Sequence, residues 1–195
     1  MDKYTNFGQL QALETEGNDY AILIRLREGS RTAVIAPHGG GIEPRTAELA
    51  EAIAGSEFNL YCFRGLKQSG NSVLHITSHR FDEPRCLALL ANQDIVVALH
   101  GCSKVGERVL LGGRDQRLVV DLAKALEAVG IIAEVSGHEF PGQEATNVCN
   151  RSATGMGAQI EMSMSFRVGP NAEKLVKVVR DVLETQAGVD TPSTS

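Results

Sequence analysis

The chain has 195 residues, 43% of them hydrophobic and 22% charged, with a formal net charge of -5 at pH 7. That length suits one domain able to bury a core, and the acidic balance argues against a general nucleic-acid binder, which needs a clustered basic surface. No apolar run approaches the roughly 20 residues needed to span a bilayer, and the start MDKYTNFGQLQALE lacks an export pattern, so a cytoplasmic protein without a membrane partner is expected.

Strand and helix signals alternate along the chain. Tyr20 to Leu26 and Thr32 to Ala36 are short branched apolar runs joined by Glu28-Gly29-Ser30, which predicts a hairpin. Pro44 suits the first turn of a helix running through Ala54, where Ala47, Ala50, Ile53 and Ala54 recur at helical spacing before Gly55. Strands are predicted at Asn59 to Phe63 and Val73 to Thr77, then a helix from Asp82 and Pro84 to about Ala91. Ile95 to Leu99 is a continuous apolar run of the kind buried on both faces of a sheet. Asp115 caps a helix with the stripe Leu118, Leu122, Ala125, Leu126 and Val129. A strand at Ile131 to Val135, a strand at Gly157 to Phe166 and a closing helix at Asn171 to Gln186 follow. The tail from Val189 to Ser195 reads as disordered, leaving 1–188 as one domain.

This alternation predicts an α/β domain with an open, mixed and largely parallel sheet flanked by helices. Sites in such sheets form at the carboxyl edge of the strands. His38 follows one predicted strand and His100 ends another, so both fall on that edge. The four cysteines, Cys62, Cys86, Cys102 and Cys149, form no CxxC pair and read as reduced, mostly buried thiols.

The stretch APHGGGIEP, Ala36 to Pro44, sets His38 and Glu43 around three glycines. Two histidines, one glutamate and an open position make a catalytic zinc site, and His38, Glu43 and His100 supply that set. A plain glycine turn with hydrogen-bonded histidines explains the same residues, and spacing alone does not decide between the two. A phosphate cradle is disfavoured, because no GKS or GKT follows and Glu43 would oppose the anion. In TGMGAQIEMS, Thr154 to Ser163, Glu161 sits mid-strand between apolar neighbours, as a general base or as one half of an ion pair.

Four ordered blocks, APHGGGIEP, LHITSHRFDEP (Leu74 to Pro84), VVALHG (Val96 to Gly101) and TGMGAQIEMS, together resemble the poly-γ-glutamate hydrolase family of phage and prophage-type proteins. The resemblance implies a carboxypeptidase A-like zinc hydrolase core. It implies Zn2+ on His38, Glu43 and His100, with Glu161 as the counterpart of the carboxypeptidase general base. Ordinary carboxypeptidases use His-x-x-Glu where this chain has four residues between His38 and Glu43, which favours the polyglutamate branch.

A γ-linked glutamate polymer carries a carboxylate beside every amide, and guanidinium forks bind carboxylates bidentately. Arg114 and Arg151 are the predicted substrate-binding residues, ahead of Arg80 and Arg85. His75 and His79 are read as strand-end caps, His138 as a loop residue and Cys102 as incidental. The expected partner is thus a polyanionic γ-glutamyl polymer or a small γ-glutamyl compound, met by a monomer inside the cell or after lysis. Two other readings are a zinc amidohydrolase of small N-acyl compounds and a non-catalytic phage replication-associated protein.

Overall fold

Asn6 caps the short helix α1 (Phe7–Gln11), whose Phe7 and Leu10 are buried, at the start of the computed structural model, which describes residues 2–188. The tail at 189–195, expected to be unstructured, lies outside the described residues. The chain then runs β1 (Tyr20–Arg25), β2 (Thr32–Gly40), α2 (Thr46–Ala54), β3 (Asn59–Gly65), α3 (Pro84–Leu90) and β4 (Ile95–Cys102). Next come β5 (Val109–Gly113), α4 (Gln116–Ala128), β6 (Ala133–Glu134), β7 (Ala158–Ser163), α5 (Met164–Val168) and α6 (Asn171–Ala187).

The strands form one mixed sheet in the order β1-β3-β2-β4-β7-β5-β6. β3, β2, β4 and β7 are parallel, β1 pairs antiparallel with β3, and β5 pairs antiparallel with β7. The predicted α/β class with helices on both faces is what the chain adopts. One apolar cluster joins Val34, Leu60, Leu99, Ile160 and Met162 to α2, α4 and α6. The other joins Ile35, Phe63, Val96 and Ala98 to α1, α3, Leu74, Ile76 and Phe81. Among the described residues, no helix is long and apolar enough to cross a membrane.

Several predicted elements are corrected. β1 and β2 are not a hairpin, because β3 lies between them. β2 is buried along nearly its whole length and needs a strand on each side, whereas β1 is half exposed and takes the edge. The run Val73 to Thr77 is no strand. A 3-10 turn covers Asn71–Leu74, and the next backbone groups bond side chains instead of a ladder: Thr77 N–H donates to Asp2 and Ile76 O faces His38. Helix α2 begins at Thr46, and Arg45 before it has φ 77°, among the described residues the one positive φ outside glycine. β7 stops at Ser163, whose hydroxyl caps α5. α1 and β5 were not foreseen.

Chain direction reverses around β2: the connection through α2 leads to β3 on one side, and the next leads to β4 on the other. Such a switch point opens a crevice at the carboxyl ends of the strands. His38 from β2 and His100 from β4 flank it.

Candidate metal centre

A bulge aims His38. In a regular strand, Val34, Ala36 and residue 38 share the face covered by α2, but the register of β2 against β3 shifts between Ala36 and Gly39. One extra residue flips every side chain beyond it. His38 therefore turns to the opposite face, beside Phe81 with ring centroids 6.0 Å apart. The glycines that follow allow close approach. A Cβ on Gly40, which has φ 62°, would stand 2.5 Å from Gly65 O, and one on Gly41 would overlap the Asn71 amide. The chain folds back so that Glu43 N–H donates to His38 O at 2.8 Å, bringing Glu43 to the histidine.

His100 needs no such device. It follows Ala98 on the same face of β4, and it pairs in register with Glu161 of β7, so the two side chains stand on neighbouring strands. Gln159 and Glu161 share this face, while Ile160 and Met162 pack into the other core.

The polar atoms converge. His38 Nδ1 lies 3.2 Å from Glu43 Oε1 and 3.2 Å from His100 Nδ1, and His100 Nδ1 lies 3.8 Å from Glu43 Oε2. Gly101 N–H donates to Glu43 Oε2 at 2.8 Å. His38 Nε2 is 2.8 Å from Ile76 O, so that nitrogen carries the proton and Nδ1 is left as a bare lone pair unless the ring is cationic. A bare Nδ1 lone pair would repel the Glu43 carboxylate unless a proton or a metal cation stands between them. A cation removes the conflict, and four-coordinate zinc with bonds of about 2.0–2.1 Å places its donors roughly 3.3 Å apart. The donor set fits zinc.

His75, read from the sequence as a cap, stacks on His38 with ring centroids 4.2 Å apart and sets Nε2 3.7 Å from Glu43 Oε1. Its Nδ1 lies 2.8 Å from Asp2 Oδ1, and Asp2 Oδ2 accepts from both the Thr77 N–H and hydroxyl. His38, Glu43 and His75 thus also form a group able to hold a metal. No sequence signal separated His75 from His79, which is exposed; the difference comes from the irregular path after Leu74. His138 serves its loop, with Nε2 3.0 Å from Leu111 O and Nδ1 accepting from Phe140 N–H.

Burial sets the charges. Burial pushes the Glu161 carboxyl up to about 8, and the Glu43 charge pushes the same way against His38 and Arg167. Burial would also raise Glu43, but His38, His100 and the Gly101 N–H outweigh it and hold Glu43 down to about 2. Burial pulls His100 down to about 3, leaving it a neutral imidazole. Burial pulls on His38 as well, yet the Glu43 charge raises that ring above its ordinary value. The metal-free site holds one proton between His38 and Glu43 where a metal would go.

A cleft of about 440 Å³ lined by Asp2, Lys3, Ile42, Glu43, Val73 and His75 opens beside this cluster. A larger one, about 540 Å³, lies at the opposite edge around Arg27, Arg31 and Asp94, and none of the clustered residues lines it. Arg114 and Arg151 are both exposed. They flank the 3-10 turn Val148–Asn150: Arg114 N–H donates to Asn150 Oδ1, and Val148 N–H donates to Ser78 O. Gly113, next to Arg114, pairs with Ala158 at the start of β7, and Ala153, two residues past Arg151, donates its N–H to Gln93 O, so both arginines lie toward the amino end of β7, away from the cluster. The buried arginine nearest the cluster is instead Arg167, which the sequence did not distinguish from a surface residue.

The family model described as Poly-gamma-glutamate hydrolase matches residues 4–173. The UPF0714 protein YndL of Bacillus subtilis (strain 168) is 41% identical over 168 residues, which is 85% of this chain and 66% of YndL. The SPbeta prophage-derived UPF0714 protein YoqZ of the same organism is 36% identical over 168 residues, 85% of this chain and 60% of YoqZ. The chain thus spans less than two thirds of the length of these two relatives. A solved bacteriophage poly-gamma-glutamate hydrolase superposes with a TM-score of 0.91 at 30% identity, over 97% of this chain and 100% of that one. A zinc-free YndL structure gives 0.88 at 35% identity, over 95% and 99%. An N-formylglutamate amidohydrolase from Ralstonia eutropha JMP134, at 14% identity and TM-score 0.53 over 86% of this chain and 97% of that one, shares the fold alone. The matched span includes His38, Glu43, His75, His100 and Glu161, the whole of the converging cluster, and the chain belongs to the poly-gamma-glutamate hydrolase family.

Proposed function

We propose that this chain hydrolyses γ-glutamyl amide bonds of poly-γ-glutamate, with zinc held by His38, Glu43 and His100 and with Glu161 as proton carrier. The observation that carries the reading is the convergence of three groups able to ligate a metal, His38 Nδ1, His100 Nδ1 and the Glu43 carboxylate, with Glu161 in register beside His100. The family supplies the substrate class.

Zinc bound by that set supplies Lewis acidity, which activates a water and polarises the scissile carbonyl. The protein's own residues do the rest. Ile76 O and Gly101 N–H fix the rotamers of His38 and Glu43 before any ligand arrives. Glu161 removes a proton from the attacking water and returns it to the leaving nitrogen as the carbon–nitrogen bond breaks. Its raised pKa suits both halves of that task, because a cation at the neighbouring trio draws it back toward neutrality. Arg114 and Arg151, exposed away from the cluster, are proposed to meet carboxylates of the polymer farther from the cleaved bond.

A second assignment puts His75 in place of His100. It rests on Asp2, since a carboxylate on the far nitrogen is the usual support of a metal-binding histidine. Zinc content of His100→Ala and His75→Ala decides between them: the true ligand's variant loses metal, and the other keeps it. The function is tested by the size of γ-linked polyglutamate chains after incubation with zinc-loaded protein, chelated protein, and chelated protein with zinc restored. Shortening that survives verified metal removal would overturn the mechanism.

A further inference from the structure

Arg167 of α5 is 4% exposed, yet among the described residues no carboxylate is in ion-pair contact with it. Nη1 donates to Pro44 O at 2.5 Å, and Nε has no hydrogen-bond partner. The other arginines that pair with carboxylates are far more open. The side chains of Arg31, Arg85, Arg108 and Arg180 are 59%, 45%, 55% and 24% exposed, and each holds an Asp or Glu. A guanidinium stays charged at any ordinary pH, so burying one without a counter-ion is costly unless an anion arrives to complete it. A neutral donor would have served to hold Pro44 O.

The position of this unmatched charge is specific. The guanidinium lies flat against Gly101, where an added Cβ would stand 2.5 Å from its Cζ and Nη1. Gly101 directly follows His100, and its N–H holds Glu43. The glycine of the VVALHG block therefore keeps a lane open for the arginine. Glu43, Cys102 and Glu161 are the titratable groups close enough to act on Arg167. It lies within electrostatic reach of the proposed zinc ligand and the proposed proton carrier, and among the described residues it forms an ion pair with neither.

We propose that Arg167 binds a carboxylate of the substrate beside the scissile amide, making it the residue that selects an anionic chain at the point of cleavage. This rests on the reading of the site as one that takes a γ-glutamyl substrate. The free edge of the fork is the half that meets the carboxylate, while Nη1 stays on Pro44. Arg114 and Arg151 then serve more distant carboxylates, and the three differ in what they read. Arg167 acts on every substrate, and Arg114 and Arg151 only on long ones.

The test compares zinc-loaded wild type with Arg167→Lys and Arg167→Met. It measures zinc per chain, KM and kcat on γ-linked polyglutamate, and the calorimetric Kd of glutarate against its neutral diamide. In Arg167→Met, glutarate binding and KM should weaken about 10- to 100-fold with zinc retained, and the diamide should be unaffected. Arg167→Lys keeps the charge without the fork and should recover part of the loss. If either variant keeps its zinc and binds glutarate like the wild type, the proposal is wrong. If both variants lose zinc, Arg167 only braces the Glu43 turn, and the proposal is equally wrong. Should wild type cleave no polyglutamate, the proposed function fails, while the glutarate comparison still decides whether Arg167 is an anion site.

Discussion

At the amino edge of the parallel strands, the buried Asn59 amide is fully used. Its Nδ2 donates to Ser30 O at 2.9 Å, to Thr32 O at 3.2 Å and to Gln93 Oε1 at 2.8 Å, and its Oδ1 accepts from Arg27 N–H at 2.8 Å. Gln93 in turn donates to Leu89 O. At the carboxyl edge of the same strands, His38, His100 and Glu43 crowd together around one proton, Glu161 is held protonated far above the carboxylate range, and Arg167 keeps an orphan nitrogen. Both edges bury polar side chains. The Asn59 amide finds all its partners within the protein, and Arg167 Nε finds none. The amino edge is closed on itself, and on the proposed function the carboxyl edge is completed by a metal and a substrate.

The sharpest way to break this contrast is through Glu161. Glu161→Gln is nearly isosteric and leaves His38, Glu43 and His100 in place. Zinc content should hold while turnover falls on the order of 10²–10⁴-fold, as for the loss of a general base. A variant with near-normal kcat would make Glu161 a structural carboxylate. Loss of zinc instead would make Glu161 a ligand and put Glu43 in question.

The same substitution should have the opposite effect on stability in the metal-free protein. A folded-state pKa near 8 against an ordinary value of 4.5 means that the folded chain holds a proton the unfolded chain releases. Stability contributed by that proton is present below about pH 4.5 and is lost as pH rises toward 8. Gln cannot lose it. Metal-free Glu161→Gln should therefore match wild type near pH 4 and exceed it by about 2–4 kcal/mol near pH 9, read from urea unfolding midpoints. A constant difference across that range would mean that Glu161 is not buried as a neutral acid.

Asn59→Ala probes the other edge. It strands several buried backbone groups and one amide, so about 2 kcal/mol of stability should be lost. In protein that remains folded at low temperature, kcat/KM should stay within twofold of wild type. A large loss of kcat/KM with the fold intact would erase the division between the two edges.

Much of the carboxyl-edge cluster was legible because its residues stand at breaks in the apolar pattern. His38 and His100 each end an apolar run, Glu43 follows a glycine turn, and Glu161 interrupts an apolar strand, patterns a sequence displays directly. What stayed hidden depends on pairing. A bulge at Pro37 and His38 decides which face His38 takes, and register with β3 creates it. The partner of β1 is set by burial of β2 on both faces, which a turn signal at Gly29 does not encode. His75 and Arg167 enter the site from a non-repeating segment and a five-residue helix, where no periodicity marks a side chain as inward.

The smallest expected effect concerns Arg114 and Arg151. Both are exposed toward the amino end of β7, away from the cluster, and each side chain gives up solvent and freedom to hold a carboxylate. Single Ala substitutions should raise KM for long γ-linked polyglutamate about two- to fivefold, with kcat unchanged, and the effect should shrink as salt screens the contact. A γ-linked dimer or trimer is too short to engage these arginines and the cleaved bond together, so its KM should not move. The ratio of long-chain to short-chain KM is therefore the informative quantity. An equal rise for both lengths would place these arginines at the cleaved bond beside Arg167. No change at low salt for either would remove them from the substrate path and leave Arg167 as the site's cation.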